Sequence, residues 1–311
     1  MVFLRVEGLS ADYITQKGIL HAIDDVNFFL EKGESIGIAG ESACGKSTLG
    51  LSMVRMLQGG KVVSGDVMFE DKSILKISED EFSRKHRWKD IAMVFQGAMN
   101  SLDPVYSIEQ QFIEVLRQHH FKDDFSKTIS DAIESVGLNE SVLGKYPHEL
   151  SGGMKQRIVI AMALLLKPKF VIADEPTTAL DVLVQAQIIN LVKKLKKKGM
   201  SIMLITHDLA VLSEIADRIG VMYAGKMIEF GSAEEIYQNP KHPYTQALLE
   251  SIPTLKSNKR PKYIKGNPPS LISPPSGCRF IDRCPEAMEK CKKVPPRFKT
   301  ESGDVLCWLY E

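Results

Sequence analysis

Two stretches of this sequence have the residues to grip phosphate. The first is Gly40-Glu41-Ser42-Ala43-Cys44-Gly45-Lys46-Ser47-Thr48, and the second is Leu150-Ser151-Gly152-Gly153-Met154-Lys155-Gln156-Arg157. In the first, the spacing Gly-x4-Gly-Lys-Ser follows an apolar run and opens a helical pattern near Ser47, the context that makes it a phosphate loop. Its glycines let backbone N–H groups face phosphates at a helix N-terminus. Lys46 is suited to neutralise β and γ phosphates, and the Ser47 hydroxyl to ligate Mg²⁺. Cys44 fills a small-residue position in this loop. In the second stretch Ser151 caps a helical pattern, Met154 to Leu166, and Gly152 and Gly153 leave its first N–H groups accessible. One nucleotide needs one cradle, so the second grip is expected to serve a nucleotide held by another chain.

The run Phe170-Val171-Ile172-Ala173 is apolar enough for a buried strand, yet it ends in Asp174 and Glu175. Two acids at the tip of such a strand call for a cation or a proton-transfer task. Asp174 is expected to hold Mg²⁺ through water, and Glu175 to act as general base on the attacking water. Gln96 closes the apolar run Ile91 to Phe95, and His207 closes Ile202 to Thr206. A histidine there, just before Asp208, suits contact with a γ-phosphate.

These residues need a frame. Ser35 to Ala39, Ile91 to Phe95, Phe170 to Ala173 and Ile202 to Thr206 read as strands, each followed by chemistry and then by a helical pattern. That alternation predicts a mostly parallel sheet covered by helices, with ligands at the carboxyl ends of its strands. Between Gln96 and Leu150 the pattern turns helical, at Ser107 to His119 and Phe125 to Val136, which predicts an inserted helical subdomain over about 97–155. Short alternating runs in the first 35 residues and at Gly65 to Phe69 predict a small antiparallel sheet.

The balance of 40 basic against 39 acidic residues leaves a formal charge of +1, so no global charge points to nucleic acid or an anionic membrane. The lysine run Lys193 to Lys198 reads as a solvated helix end, where the dipole favours cations. The longest apolar run, Ile158 to Leu166, is too short to span a bilayer and reads as a buried helix. The N-terminus reads as a first strand, without a secretory pattern, which implies the cytosol and reduced cysteines.

At about Asn239 the composition changes: residues 239–311 hold 11 of the 15 prolines and four of the five cysteines. A separate element is expected there. Cys278-x5-Cys284-x6-Cys291-x15-Cys307 supplies four soft ligands, which suggests metal before disulfide. The spacing lacks the Cys-x2-Cys knuckles usual for structural zinc, and an iron–sulfur cluster tolerates looser geometry.

Taken in order, these motifs resemble those of an ATP-binding cassette ATPase over residues 1 to about 235. The resemblance implies an α/β fold, with a P-loop NTPase (RecA-like) core sheet, an antiparallel β subdomain and an inserted helical subdomain. It implies that Tyr13 stacks on adenine, that Gly40 to Thr48 is the Walker A loop, and that Gln96 is the catalytic Q-loop contact and a ligand to Mg²⁺. Leu150 to Gln156 is then the signature, Asp174 the Walker B acid, Glu175 the catalytic base, Ala179-Leu180-Asp181 the D-loop and His207 the switch histidine. In that family two cassettes pack head to tail, so Ser151 and Gly153 meet the γ-phosphate on the partner, and a permease coupling helix docks beside the Q-loop. Gly97-Ala98 stands where many relatives carry an acid and a proline.

The text from Asn239-Pro240-Lys241-His242-Pro243-Tyr244 to the cysteine-bearing end is similar to the tail of ATPases serving oligopeptide, dipeptide and nickel importers. That implies a cassette over 1–238 and a small irregular extension over 239–311 that holds a [4Fe–4S] cluster, with Zn²⁺ the alternative. It implies work at the cytoplasmic face of the membrane, paired with a second and different cassette chain. Two permease subunits and an extracytoplasmic binding protein complete the expected assembly. Import of nickel or another small solute is the alternative, and a soluble non-transport cassette the more distant one.

Overall fold

A computed structural model describes residues 2–178, 180–251 and 264–311. Its elements in chain order are β1 (Val2–Thr15), β2 (Gly18–Glu31), β3 (Ser35–Ala39), α1 (Lys46–Met53), β4 (Gly60–Phe69), β5 (Lys72–Ser73), α2 (Glu79–Lys85) and β6 (Ile91–Val94). There follow α3 (Ile108–Gln118), α4 (Phe125–Ser135), α5 (Gly152–Leu164), β7 (Phe170–Asp174), α6 (Val182–Lys197), β8 (Ser201–Ile205) and α7 (Leu209–Ile215). The last are β9 (Arg218–Tyr223), β10 (Lys226–Ser232), α8 (Ala233–Gln238), α9 (Pro243–Glu250), β11 (Phe298–Lys299) and β12 (Asp304–Val305). The chain divides into two compact units, Met1–Lys76 with Leu204–Glu311, and Ile77–Met203.

In the first unit, Leu4, Val6, Leu9 and Ala11 of β1 are buried while Arg5 and Glu7 between them are exposed. Such period-two alternation makes a sheet with one dry face. Its antiparallel order is β2-β1-β4-β5. The five residues of β3 are all buried, as a strand covered on both faces must be, and β3 runs parallel to β9 from Ile36 beside Arg218. Beyond β9, the strands β10, β12 and β11 add antiparallel rungs. Arg218 ties the two sheets: its guanidinium lies 4.4 Å over the Phe29 ring of β2 and 5.7 Å over the Phe230 ring of β10, and pairs with Glu34 at 3.2 Å.

The cysteine-bearing end of the chain packs into this unit. Glu229 of β10 is 1% exposed, and its carboxylate accepts from the backbone N–H groups of Lys241 (2.6 Å) and His242 (2.9 Å), which compensates for its burial. His242 then caps α9 through Nδ1, which accepts from the Tyr244 N–H at 3.0 Å. Tyr244, Tyr223 and Phe280 form a buried aromatic cluster, with ring centroids 4.6 to 5.4 Å apart. Each such ring contributes about 2–3 kcal/mol by leaving water.

In the second unit β6 and β7 pair in parallel, Ile91 beside Phe170. Helix α5 buries Ile158, Val159, Ile160, Ala161, Ala163 and Leu164, apolar on nearly every side as a central helix must be. Its end is fastened by Trp88, whose indole N–H donates to the Met162 carbonyl at 2.7 Å. Helices α3 and α4 bury single stripes, Ile108, Phe112 and Leu116 in one and Ile129, Ala132 and Ile133 in the other. Before α3, the Gln111 side chain clamps the loop by accepting from the Asp103 N–H and donating to the Asp103 and Tyr106 carbonyls, all at 3.0 Å.

All four expected core strands form, within one residue of the expected ends. The helix expected to reach Leu166 stops at Leu164, because Lys167 takes φ +53° and precedes Pro168, which disfavours helical backbone before it.

Candidate active site

The phosphate loop connects β3 to α1 in the first unit. Gly40 (φ +148°) and Gly45 (φ +103°) hold left-handed backbone, and a Cβ on either would lie 2.2 Å from the Met222 carbonyl or 2.3 Å from the Ala22 carbonyl. No other residue fits there, so the loop is shaped by its glycines. Helix α1 opens without a side-chain cap and without an acid in its first turn, leaving its N–H groups to an anion. Lys46 is buried and folds over the loop, its Nζ donating to the carbonyls of Gly40 (2.8 Å) and Glu41 (2.9 Å). Ser47 and Thr48 follow in the first turn of α1, and Ser42 and Ala43 form the exposed crest of the loop. Cys44 is buried, its Sγ 3.8 Å from Lys46 Nζ, and burial pushes its thiol pKa up, so it is a packed side chain rather than a thiolate.

His207 belongs to the same unit and the same sheet edge. The Thr206 N–H donates to the Ile38 carbonyl of β3 at 3.2 Å, so His207 leaves the strand alongside the start of the phosphate loop. It is exposed, and the next residue, Asp208, caps α7 by accepting from the Ala210 N–H at 2.8 Å. Tyr13, on β1, lies against Gly60 of β4, where a Cβ would come within 2.7 Å of its ring.

The second unit carries the acids and the signature. Asp174 ends β7 and is 2% exposed. Glu175 follows with φ +45°, an uncommon backbone for a side-chain-bearing residue and a form of strain found at functional positions. Its Oε2 accepts from Gln96 Nε2 (3.1 Å) and from Thr178 Oγ1 (2.8 Å). Ser151 caps α5 by accepting from the Met154 N–H at 3.3 Å. Ser151 and Gly152 are exposed, whereas Gln156 is buried in the helix. Gly153 lets α6 approach: a Cβ on it would lie 2.6 Å from Val184 Cγ1. Asp181 caps α6, accepting from the Val184 N–H at 2.9 Å, while Ala179 of the expected D-loop lies outside the described residues.

Cys278, Cys284, Cys291 and Cys307 share one region of the first unit, where the Cys278 N–H donates to the Cys291 carbonyl at 2.8 Å. Burial pushes the Cys278 thiol up to about 11, and Cys291, Cys284 and Cys307 push it the same way. All four are reduced. Among the described residues, however, no group of three or more His, Cys, Asp or Glu is gathered closely enough to hold a metal ion. The sequence expectation of a metal-binding cysteine set is therefore not met by a preformed ligand geometry. Thiolates repel one another as they ionise, which opposes drawing four of them onto one point without a cation.

The family model described as ABC transporter matches residues 23–178, and one described as the C-terminal region of oligopeptide/dipeptide transporters matches residues 228–291. The dipeptide transport ATP-binding protein DppD of Caldanaerobacter subterraneus is 44% identical, over 100% of this chain and 98% of that protein. The chain belongs to the ABC transporter family. It is an ATP-binding cassette ATPase with the P-loop NTPase fold, in which ATP hydrolysis is coupled to transport. The oligopeptide transport ATP-binding protein AppD of Bacillus subtilis is 42% identical over 99% of this chain and 97% of its own. The dimeric ATP-binding cassette MJ0796, solved in a post-hydrolysis state with ADP and phosphate, superposes with a TM-score of 0.66 at 26% identity, over 74% of this chain and 98% of that one.

Three residues of this ABC ATPase that touch its candidate site went unnoticed in the sequence. Thr178 shares the Glu175 carboxylate, and its place three residues after Glu175 was the available signal. Tyr244 and Arg283 reach Glu41 of the phosphate loop from more than 200 residues away; Tyr244 stands in the tail stretch that carries the importer resemblance, but no local pattern marks either contact. Among the described residues no helix is long and apolar enough to cross a membrane.

Proposed function

We propose that this ABC ATPase powers the import of dipeptides or oligopeptides. The observation that carries the reading is the match of residues 228–291 to the oligopeptide/dipeptide transporter C-terminal region, joined to a phosphate loop with glycine-only geometry at Gly40 and Gly45. On this reading the cassette occupies 1–238 with its helical subdomain at about 97–155, and 239–311 is the peptide-importer extension.

Gly40 to Thr48 cradle the ATP phosphates, Lys46 turns from the loop carbonyls to the β and γ phosphates, and Tyr13 stacks on adenine. Ser47, Asp174 and Gln96 are hard oxygen donors of the kind Mg²⁺ prefers, and the ion neutralises phosphate charge when bound. Glu175, held by Gln96 and Thr178, takes the proton of the attacking water, and His207 contacts the γ-phosphate. Ser151 and Gly152 are exposed and, with the half-buried Gly153 and with Asp181, serve the ATP on a second cassette chain. ATP shared across two chains makes closure depend on the γ-phosphate, so its loss as phosphate reopens the pair.

The partner reading is a heterodimer at the cytoplasmic face of the membrane, seated on two permease subunits fed by an extracytoplasmic binding protein. The four cysteines are proposed to hold a [4Fe–4S] cluster. In its favour are four reduced soft donors in one region of a Pro-rich element. Zn²⁺ is the alternative, and an anaerobic preparation that is colourless, iron-free and zinc-loaded would overturn the cluster.

The deciding experiment is reconstitution with the cognate permease and binding proteins in vesicles. Labelled dipeptide should accumulate with ATP hydrolysis, and uptake of Ni²⁺ without peptide uptake would refute the substrate class.

A further inference from the structure

We propose that Arg283 is a positioning residue for ATP binding. Carried on the turn between Cys278 and Cys284, it neutralises the Glu41 carboxylate inside the phosphate loop, so that the state of the cysteine element sets the affinity for polyphosphate. This rests on the nucleotide-site reading above and adds its regulation.

The starting point is a charge in an unfavourable place. Glu41 is the second residue of a loop shaped for a polyanion, and a bare carboxylate there opposes binding. Every hydrogen-bonding group of Glu41 is taken. Its N–H donates to the Tyr244 hydroxyl (2.9 Å), its carbonyl accepts from Lys46 Nζ (2.9 Å), and its two carboxylate oxygens accept from Arg283 Nη1 (2.8 Å) and Nη2 (2.9 Å). The bidentate fork fixes the carboxylate as well as cancelling its charge.

Arg283 is not a casual surface partner. Its side chain is 5% exposed, against 25% for Glu41. Nε donates to the Lys265 carbonyl at 2.9 Å and Nη1 to the Tyr223 hydroxyl at 3.1 Å, and the guanidinium lies 5.6 Å over the Tyr223 ring and 5.9 Å over that of Phe280. A guanidinium so fully engaged loses little freedom on pairing, unlike an exposed ion pair.

The backbone that presents Arg283 is bracketed by thiols. The Ile281 N–H donates to the Cys278 carbonyl (3.1 Å), the Arg283 N–H to the Phe280 carbonyl (3.0 Å), and the Cys284 N–H to the Ile281 carbonyl (3.4 Å). Cys278 is in turn pinned to Cys291, and Gly277 sits so close to the Cys291 carbonyl that a Cβ would lie 2.2 Å away. Moving either Cys278 or Cys284 therefore moves the turn, and with it the fork on Glu41.

Calorimetric binding of ATP, ADP and AMP in EDTA tests this. In the Arg283→Gln variant ATP should bind on the order of ten-fold more weakly, ADP less so and AMP least, because the exposed carboxylate repels in proportion to phosphate charge. The Glu41→Gln/Arg283→Gln double variant should recover to within about two-fold of Glu41→Gln alone. Cys284→Ser should reproduce the ATP loss, and combining it with Arg283→Gln should add nothing. Equal losses for all three nucleotides, or no recovery in the double variant, would reduce Arg283 to a packing residue and overturn the proposal. Unchanged ATP affinity in Cys284→Ser would overturn the link to the cysteines. Should Arg283→Gln fail to fold, Glu41→Gln by itself decides: it should bind ATP at least as tightly as wild type, and weaker binding refutes the charge argument. A wild-type chain that binds no ATP would instead overturn the nucleotide-site reading.

Discussion

The Gln96 side-chain amide donates to the Glu175 carboxylate at 3.1 Å, joining the second residue after β6 to the first residue after β7. Thr178 donates to the same oxygen, so the carboxylate is aimed before any nucleotide arrives. Glu175→Gln keeps the shape and removes the base. Turnover should fall by at least about a hundred-fold, the low end of general-base contributions, while ATP binding is retained. Single-turnover ATPase assays beside equilibrium binding check this, and near-normal turnover would remove Glu175 from the mechanism.

Gly153 lies under Val184, and this contact has a sign that can be inverted. An alanine there gains helix propensity, but its Cβ would fall 2.6 Å from a stiff, branched side chain. Gly153→Ala should therefore cost about 1–3 kcal/mol in urea unfolding, whereas the same change in a Val184→Ala background should be neutral or stabilising. A loss of equal size in both backgrounds would mean that the close approach is not the cause.

Ser151 is exposed at the start of α5, and its proposed work is on another chain's nucleotide. Ser151→Arg should leave this chain's own ATP affinity within about two-fold while ATP hydrolysis of the assembled pair drops by about ten-fold or more, the scale of one lost charge-assisted hydrogen bond. Weakened binding to the isolated chain, measured by calorimetry, would argue against a role in trans.

His242 is fully buried, and burial pushes its imidazole down to about 3. The unfolded chain takes up a proton near the ordinary value of about 6.5 while the folded chain does not. The stability from the neutral ring is thus fully present above about 6.5 and is lost as pH falls from there toward 3. His242→Asn keeps a capping acceptor for the Tyr244 N–H and cannot titrate. Between pH 6.5 and 4 the wild type should lose stability faster than this variant, by up to about 1.4 kcal/mol per pH unit. Parallel curves in chemical unfolding across that range would contradict a buried neutral histidine. Glu229, whose carboxylate pKa is raised by its own burial, opposes this trend equally in both proteins.

Much of the frame was legible because its signals are local. The strands β3, β6, β7 and β8 are short, mainly apolar runs, each followed within two residues by one that does chemistry, and a run buried on both faces has little other use. The phosphate loop was equally plain, since its Gly-x4-Gly-Lys-Ser spacing is contiguous, although the crowding that requires glycine at Gly40 and Gly45 comes from the distant Met222 and Ala22 carbonyls. The cysteine spacing does not carry a ligand geometry in the same way, because spacing along the chain does not fix where four thiols lie in space.

The sequence by itself determined which residues can cradle phosphate, which acids stand at strand ends, and where the composition changes, for these depend on near neighbours and period. Only the tertiary structure decided that Tyr244 and Arg283 converge on Glu41, across 203 and 242 residues. It likewise decided that Glu175 is held by Gln96 from 79 residues earlier. The partners of Glu41 are chosen by how α9 and the cysteine-bracketed turn pack beside the phosphate loop, and that of Glu175 by the parallel pairing of β6 with β7. Packing over that range is a property of the folded core, to which the residues adjoining Arg283 in the chain carry no local code.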